Sequence, residues 1–173
     1  MNRAARNSRA VAERERLVAA RALPRALSEL LTLPTFTGFV TTTPVPSTTF
    51  EMLLCDRDDG IALRCFWHGV YEPSSSALIA ALGHDADRIV DIGAHTGYFT
   101  LLAAHVAPRA QIIAVEPDAA NLARLALNAR ANGCSNIAVV RAAAADVNGR
   151  GQLCNDAPEG YLSSGGRLTD DDG

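Results

Sequence analysis

Two short segments hold residues whose types and spacing can do chemistry. In the first, Ile89-Val90-Asp91-Ile92-Gly93-Ala94-His95-Thr96-Gly97, a β-prone run passes through an acid into a glycine-containing turn. Gly93 and Gly97 let the backbone turn sharply and bring main-chain N–H groups close to a ligand, and a helix starting there adds its positive dipole end. Such a turn accepts a nucleotide or a nucleoside-linked carboxylate, although glycine also ends strands for structural reasons alone. The second segment, Val115-Glu116-Pro117-Asp118, sets an acid 23 residues after Gly93. At the carboxyl edge of a parallel sheet that acid can accept hydrogen bonds from both ribose hydroxyls, while Asp118 is better placed to cap the next helix. A dinucleotide fingerprint needs G-x-G-x-x-G to seat a pyrophosphate, and the run here is G-A-H-T-G. That spacing disfavours an NAD-dependent oxidoreductase. An acid just ahead of the turn can instead hold the cationic amino group of a methionine moiety, directly or through water, which points to S-adenosyl-L-methionine.

These residues need a sheet with helices against it to hold them. From Arg88 the pattern alternates: a strand at Arg88–Ile92, a helix at about Tyr98–Ala107 stopped by Pro108, a strand at Gln111–Val115, a helix at Asp118–Ala131 and a strand at Ile137–Arg141. This βαβαβ order predicts an α/β fold with a Rossmann-like parallel sheet. Leu122, Leu125, Ala126 and Ala129 make one helical stripe, and Asn132-Gly133 supplies a left-handed stop. Ile112-Ile113-Ala114-Val115 is apolar on both faces, as in a parallel strand covered from two sides. Upstream, Arg9 to Ala22 favours helix and Pro24 breaks it, with a second short helix carrying Leu27, Leu30 and Leu31. Thr32–Ser47, with Pro34, Pro44, Pro46 and many threonines, reads as an extended linker. Thr48–Cys55 and Ile61–Trp67 predict a β-hairpin reversing at Asp56–Gly60. Serines 74–76 suit the start of a helix over Ala77–Leu82 that Gly83 ends, and Asn155–Gly173 reads as a loop or frayed end. The expected division is residues 1–47 as helical preface and linker, and 48–173 as a partial cofactor-binding domain.

The ordered set of motifs resembles the FkbM family of class I methyltransferases, which use S-adenosyl-L-methionine. The matching stretches are Gly69-Val70-Tyr71-Glu72-Pro73, then Val90-Asp91-Ile92-Gly93-Ala94-His95-Thr96-Gly97-Tyr98-Phe99-Thr100-Leu101, then Ala114-Val115-Glu116-Pro117-Asp118. Asn128, Asn132-Gly133 and Ala142 to Gly149 continue it in the family's order, so the resemblance covers about Phe50 to Leu153. It implies transfer of a methyl group to a hydroxyl of a small molecule or glycan. Asp91, Gly93, Ala94 and Gly97 would line the methionine end of the cofactor, Glu116 would hold the ribose, and Ala143 or its neighbours would meet the adenine, with Asp146 a further candidate. Glu72 would close over the cofactor or cap a helix, and His95 would orient the turn. Family members continue with L-D-x-L and a strand carrying K-x-D-x-E-G, so the expectation is the cofactor-binding half of the fold, truncated before the acceptor face. The general base is not assigned. Two other readings stay open: a non-catalytic fragment that binds cofactor or a partner chain through an open sheet edge, and the oxidoreductase.

Composition bounds these readings. The 173 residues carry 16 basic and 19 acidic side chains, a net charge of −3, and 48% of them are hydrophobic, enough for the core of one domain. Every basic residue is arginine. Residues 1–33 hold seven Arg against three Glu, a balance that can touch a phosphate or an acidic lipid surface but more simply marks a solvated helix face. No nucleic-acid motif and no apolar run of membrane-spanning length occurs, and the N-terminal arginines are interrupted by Glu13, Glu15 and Glu29 without an apolar run after them, so a cytoplasmic protein is expected. The four cysteines have no metal or redox spacing; Cys55 and Cys65 could face each other across the expected hairpin, with free thiols the expected state.

Overall fold

The computed structural model describes residues 2–146, 148–154, 161–162 and 167–170. Three parallel strands, β3 (Arg88–Ile92), β4 (Gln111–Val115) and β5 (Ile137–Val140), form a sheet in the order β3-β4-β5. Ile89 pairs with Ile112 and Ile112 with Ile137, so the carboxyl ends of the strands share one edge. Helices α5 (Tyr98–Val106) and α6 (Ala119–Ala131) make the crossovers. The α/β, Rossmann-like reading of this half therefore holds, with element bounds within a residue of those expected. Asp118 caps α6: its Oδ1 accepts from the backbone N–H of Ala120 at 2.7 Å and of Asn121 at 3.0 Å.

The N-terminal half departs from expectation. Helix α1 runs Arg3–Ala19, starting earlier than Arg9 because Asn2 Oδ1 accepts from Ala5 N at 2.9 Å. It also ends before Ala22, where Arg21 takes φ 52°. The short helix α2 (Leu27–Leu30) is where Leu27 and Leu30 placed it. The segment expected to be a linker contains strand β1 (Phe36–Val45), paired antiparallel with β2 (Thr48–Asp56), so a hairpin bridges residue 47. Val40 and Thr42 are buried while Phe39, Thr41 and Thr43 are exposed, a period of two that β-branched threonine suits. The prolines punctuate this strand without abolishing it: pairing is interrupted between Thr42 and Val45, around Pro44.

Ile61–Trp67, expected as the second hairpin strand, is helical: α3 spans Gly60–His68. Asp59 Oδ1 accepts from Ile61 N at 2.8 Å and Ala62 N at 3.1 Å, and Gly69 (φ 81°) closes the other end by donating to Cys65 O at 2.8 Å. Caps at both ends outweigh the β-propensity of the residues between them. Cys55 therefore lies on β2 and Cys65 inside α3, and all four cysteines are free thiols. Helix α4 (Pro73–Gly83) has Glu72 at its cap position, with φ 43°, in place of a serine. Ser76 instead binds Tyr71 O and Tyr98 Oη. Within Asn155–Gly173, expected as loop, Arg167–Asp170 form β7, paired with β6 (Gly151–Cys154) and so supplied with ladder hydrogen bonds; the rest, apart from residues 161–162, lies outside the described residues.

One continuous core joins the halves. Phe50, Met52 and Leu54 from β2 pack with Ala62, Leu63 and Trp67 of α3 and with Tyr98, Leu101 and Leu102 of α5. Burial of this apolar set is the main stabilising term. Helix α6 is fixed to the outer edge of β2 by polar side chains: Arg124 Nη1 donates to Leu53 O at 2.8 Å, Leu53 N donates to Asn128 Oδ1 at 2.9 Å, and Asn132 bonds both the N–H and the C=O of Glu51 at 2.8 Å. Arg124 also holds Asp58 at 2.5 Å, each side chain only 12% exposed.

Candidate functional site

The turn leaving β3 is built around three positive φ angles: Gly93 at 80°, His95 at 51° and Gly97 at 96°. The two glycines need that freedom for different reasons. A Cβ on Gly97 would stand 2.9 Å from Leu125 Cγ, so this glycine lets the turn close onto α6; a Cβ on Gly93 would have no atom within 4 Å. Gly93 faces open space at the carboxyl edge of the sheet.

The turn's backbone donors are largely spent inside the protein. Gly93 N and Ala94 N both donate to Val115 O, at 2.8 and 3.0 Å, and His95 N donates to Glu116 Oε2 at 2.9 Å. This corrects the expectation that these N–H groups present themselves to a ligand. A cofactor can instead approach the uncovered Cα of Gly93, where no side chain intervenes. Ala94, expected to line the same ligand, is 5% exposed and packs with Ala114 and Leu125. His95, 8% exposed, has Nδ1 3.2 Å from Thr96 Oγ1, and its buried Nε2 has no partner.

Glu116 is the fastener of the turn. It is 6% exposed, and besides His95 N its carboxylate accepts from Asp118 N at 3.0 Å and from Asn121 Nδ2 at 3.2 Å, both at Oε1. Oε2 receives one donor, which leaves a lone pair for a ligand hydroxyl. Asp91 is tied to the next helix: Thr100 Oγ1 donates to its Oδ2 at 2.5 Å. Burial raises the Asp91 carboxyl above the ordinary carboxylate range, the Thr100 hydrogen bonds oppose this, and the charge of Glu116 adds to it. Two carboxylates thus flank an uncovered glycine, which fits a ligand carrying an ammonium or sulfonium centre and a ribose.

The structure brings Asp91, Gly93, Ala94, His95, Gly97 and Glu116 into one edge. Ala143 and Asp146 follow β5 in irregular backbone, beyond Val140 where its ladder ends, and no hydrogen bond joins them to the turn among the described residues. Glu72 is exposed, and Ser75 Oγ donates to its Oε2 at 3.0 Å; its neighbour Tyr71 packs on Tyr98, the first residue after the turn. Sequence reasoning missed Asn121 as a partner of Glu116 and did not assign Asn128 a task. Asn128 Nδ2 donates to Thr96 O at 2.8 Å, so a single buried amide binds both the turn and β2. The available signal was that asparagine inside a helix is disfavoured unless its amide has work to do. Among the described residues no group of acidic, cysteine or histidine side chains could hold a metal ion, and no helix is long and apolar enough to cross a membrane.

Two solved structures are similar to part of this chain. Precorrin-6y C5,15-methyltransferase from Geobacter metallireducens GS-15 aligns with 42% of this chain and 40% of its own at 20% identity and a TM-score of 0.37. A protein-L-isoaspartate O-methyltransferase aligns with 75% of this chain and 42% of its own at 16% identity and a TM-score of 0.38. The chain thus spans about two fifths of the length of these structures. No curated protein matches the sequence. The model of the methyltransferase small domain matches residues 63–153, a span that holds the turn, Asp91, Glu116, and the polar face of α6 together. That is more than half of the sequence, and the chain belongs to the methyltransferase small domain family.

Proposed function

We propose that the chain is the cofactor-binding half of an S-adenosyl-L-methionine-dependent methyltransferase of the FkbM type that methylates a hydroxyl of a small molecule or glycan in the cytoplasm. The observation that carries this reading is the open Gly93 cradle between the carboxylates of Asp91 and Glu116. The bound cofactor supplies a sulfonium methyl group for direct displacement by an acceptor oxygen. Asp91, already fixed by Thr100, holds the amino group of the methionine end, and Glu116 accepts a ribose hydroxyl through Oε2. Backbone near Ala143, with Asp146, borders the adenine, and Glu72 closes from the start of α4. Proximity and orientation supply the rate acceleration, since the transfer needs no covalent intermediate on the protein.

Isothermal titration with S-adenosylhomocysteine tests the reading, with NAD as the control ligand. Saturable binding is expected for the wild type, at least tenfold weaker for Gly93→Ala and for Glu116→Gln, with no heat from NAD. Gly93→Ala binding as tightly as wild type removes the cradle from the site, and selective NAD binding replaces the methyltransferase reading with the oxidoreductase one.

A second reading rests on a different observation. Among the described strands β3 pairs only with β4, so one β3 edge keeps its N–H and C=O groups unpaired. Under it the chain associates with a second copy edge to edge. Sedimentation should then show a concentration-dependent dimer that Val90→Pro abolishes; a monomer at every concentration rejects it.

A further inference from the structure

Far in the chain from the turn, Arg6 and Arg9 on α1 and Arg57 from the turn after β2 meet across a cavity of about 260 Å³. Thr32, Leu33 and Thr35, from the connection between α2 and β1, line it with them. The three arginines are separated by up to 51 residues in sequence, so the fold gathers them. Arg6 and Arg9 lie three residues apart on one helix face, and among the described residues neither side chain donates a hydrogen bond. Arg57 is held in place: its Nη2 donates to Leu33 O at 2.7 Å, and its Nε is buried without a partner.

Among the described residues no carboxylate lines the cavity. Asp56 is nearby, with Oδ1 3.7 Å from Arg57 Nη1, but its side chain is 55% exposed and points its charge largely to water. Glu13, one turn further along α1, is held by Arg16, whose Nε and Nη2 donate to it at 2.9 and 2.7 Å, and its charge also acts on Arg9 without a hydrogen bond to it. Three guanidinium groups in a concave wall repel one another and concentrate positive potential in the space between them. The charge is neutralised most effectively by a dianion whose several oxygens can each meet a planar N–H fork, the chemistry of a phosphate monoester. The Thr32 hydroxyl is already donated to Glu29 O at 2.7 Å, which leaves Thr35 as the threonine able to donate to an anion, and the volume leaves room for a sugar-sized body beside the phosphate.

We propose that the Arg6–Arg9–Arg57 cavity is a binding site for the phosphate group of a small phosphorylated metabolite. None of its lining residues belongs to the glycine turn, Asp91 or Glu116, so the site stands independently of cofactor binding.

Titration calorimetry of the full chain with glucose 6-phosphate, inorganic phosphate and glucose tests this, in chloride buffer of matched ionic strength. The phosphate ester and inorganic phosphate should bind saturably and glucose should not. In the Arg6→Gln, Arg9→Gln double variant, both positions being exposed on α1, affinity should fall at least tenfold while the melting temperature without ligand stays within about 2 °C. Arg57→Lys, which keeps the charge and removes the fork, should lose affinity as well. Equal affinity in wild type and double variant overturns the proposal, as does an absence of saturable binding to either phosphate ligand. In a parallel arm, phosphatidylcholine vesicles containing phosphatidic acid distinguish the source of the phosphate: sedimentation with vesicles but no response to the free ligands assigns the arginines to a membrane surface and overturns the small-metabolite site.

Discussion

On one face of the β3-β4-β5 sheet Ile112 and Ala114 are sealed at 0% exposure, Ile112 against the alanines of α5 and Ala114 with Leu125 of α6. On the other face Val90, Ile92 and Val140 stand 51%, 63% and 43% exposed. The register puts these three on a common side, with Ile113 and Val115 between them. The side chains on the two faces are alike in type, and among the described residues helices lie over only one face, at whose β5 margin Val139 is itself 46% exposed. Apolar character along a parallel strand therefore reports what the strand is built to be covered by, not what covers it. The same contrast separates the two glycines of the turn, since Gly97 backs onto α6 and Gly93 onto open space.

The contrast is sharpest in a pair of truncations. Leu125→Ala, on the covered side, should cost about 2–5 kcal/mol in urea unfolding, because it removes buried methyl groups and leaves a cavity. Ile92→Ala, on the bare side, should cost about 0.5 kcal/mol or less. Equal costs would mean that the bare face is covered in solution. The turn gives the next largest difference. Gly97→Ala combines left-handed backbone with a Cβ 2.9 Å from Leu125 Cγ and should destabilise by about 2–3 kcal/mol, whereas Gly93→Ala meets only the backbone penalty, about 1–2 kcal/mol. Thermal melts of the two variants, without ligand, measure that gap.

A smaller effect is expected at Asp91, whose side chain shares the covered face with Ala114. Its carboxyl is raised by burial, so the folded state holds the proton longer than the unfolded chain. The stability this contributes is present below the unfolded pKa of about 3.9 and is lost as pH rises through the folded value. Asp91→Asn should therefore be more stable than wild type at pH 7, with the difference closing as pH falls toward 4. An unchanged difference across that range would separate the effect from titration. Least in energy but simple to read is thiol reactivity. Cys65 is fully buried and its thiol is pushed up to about 12 by burial, so maleimide at pH 8 should leave it unlabelled until the chain is unfolded, while Cys55, Cys134 and Cys154 are partly exposed.

The alternating half of the fold was legible because each signal there agreed with its neighbours: apolar strands, Asp118 as a cap, an apolar stripe on α6 and a glycine stop. The N-terminal half was not, because local signals competed. Three prolines obscured the period-two burial of β1, and Asp59 and Gly69 made a helix of residues that prefer strands. The candidate site was legible as a set of residues and not as a network. Nothing in the spacing of Glu116 and Asn121 announced that they are hydrogen-bonded, and the use of the Gly93, Ala94 and His95 N–H groups by Val115 and Glu116 depends on where two strands end relative to each other.

The edge of β2 offers a consequence for motion. Glu51 and Leu53 sit on the outside of a two-stranded ribbon, where amide protons ordinarily exchange with water quickly. Here their N–H groups are capped by Asn132 and Asn128, and Asn128 also grips Thr96. Exposing those protons requires α6 to lift, and lifting α6 releases the glycine turn. The two amides should accordingly exchange at the rate of the turn itself, so that a pair of edge protons, remote in sequence, serves as a clock for the opening of the site.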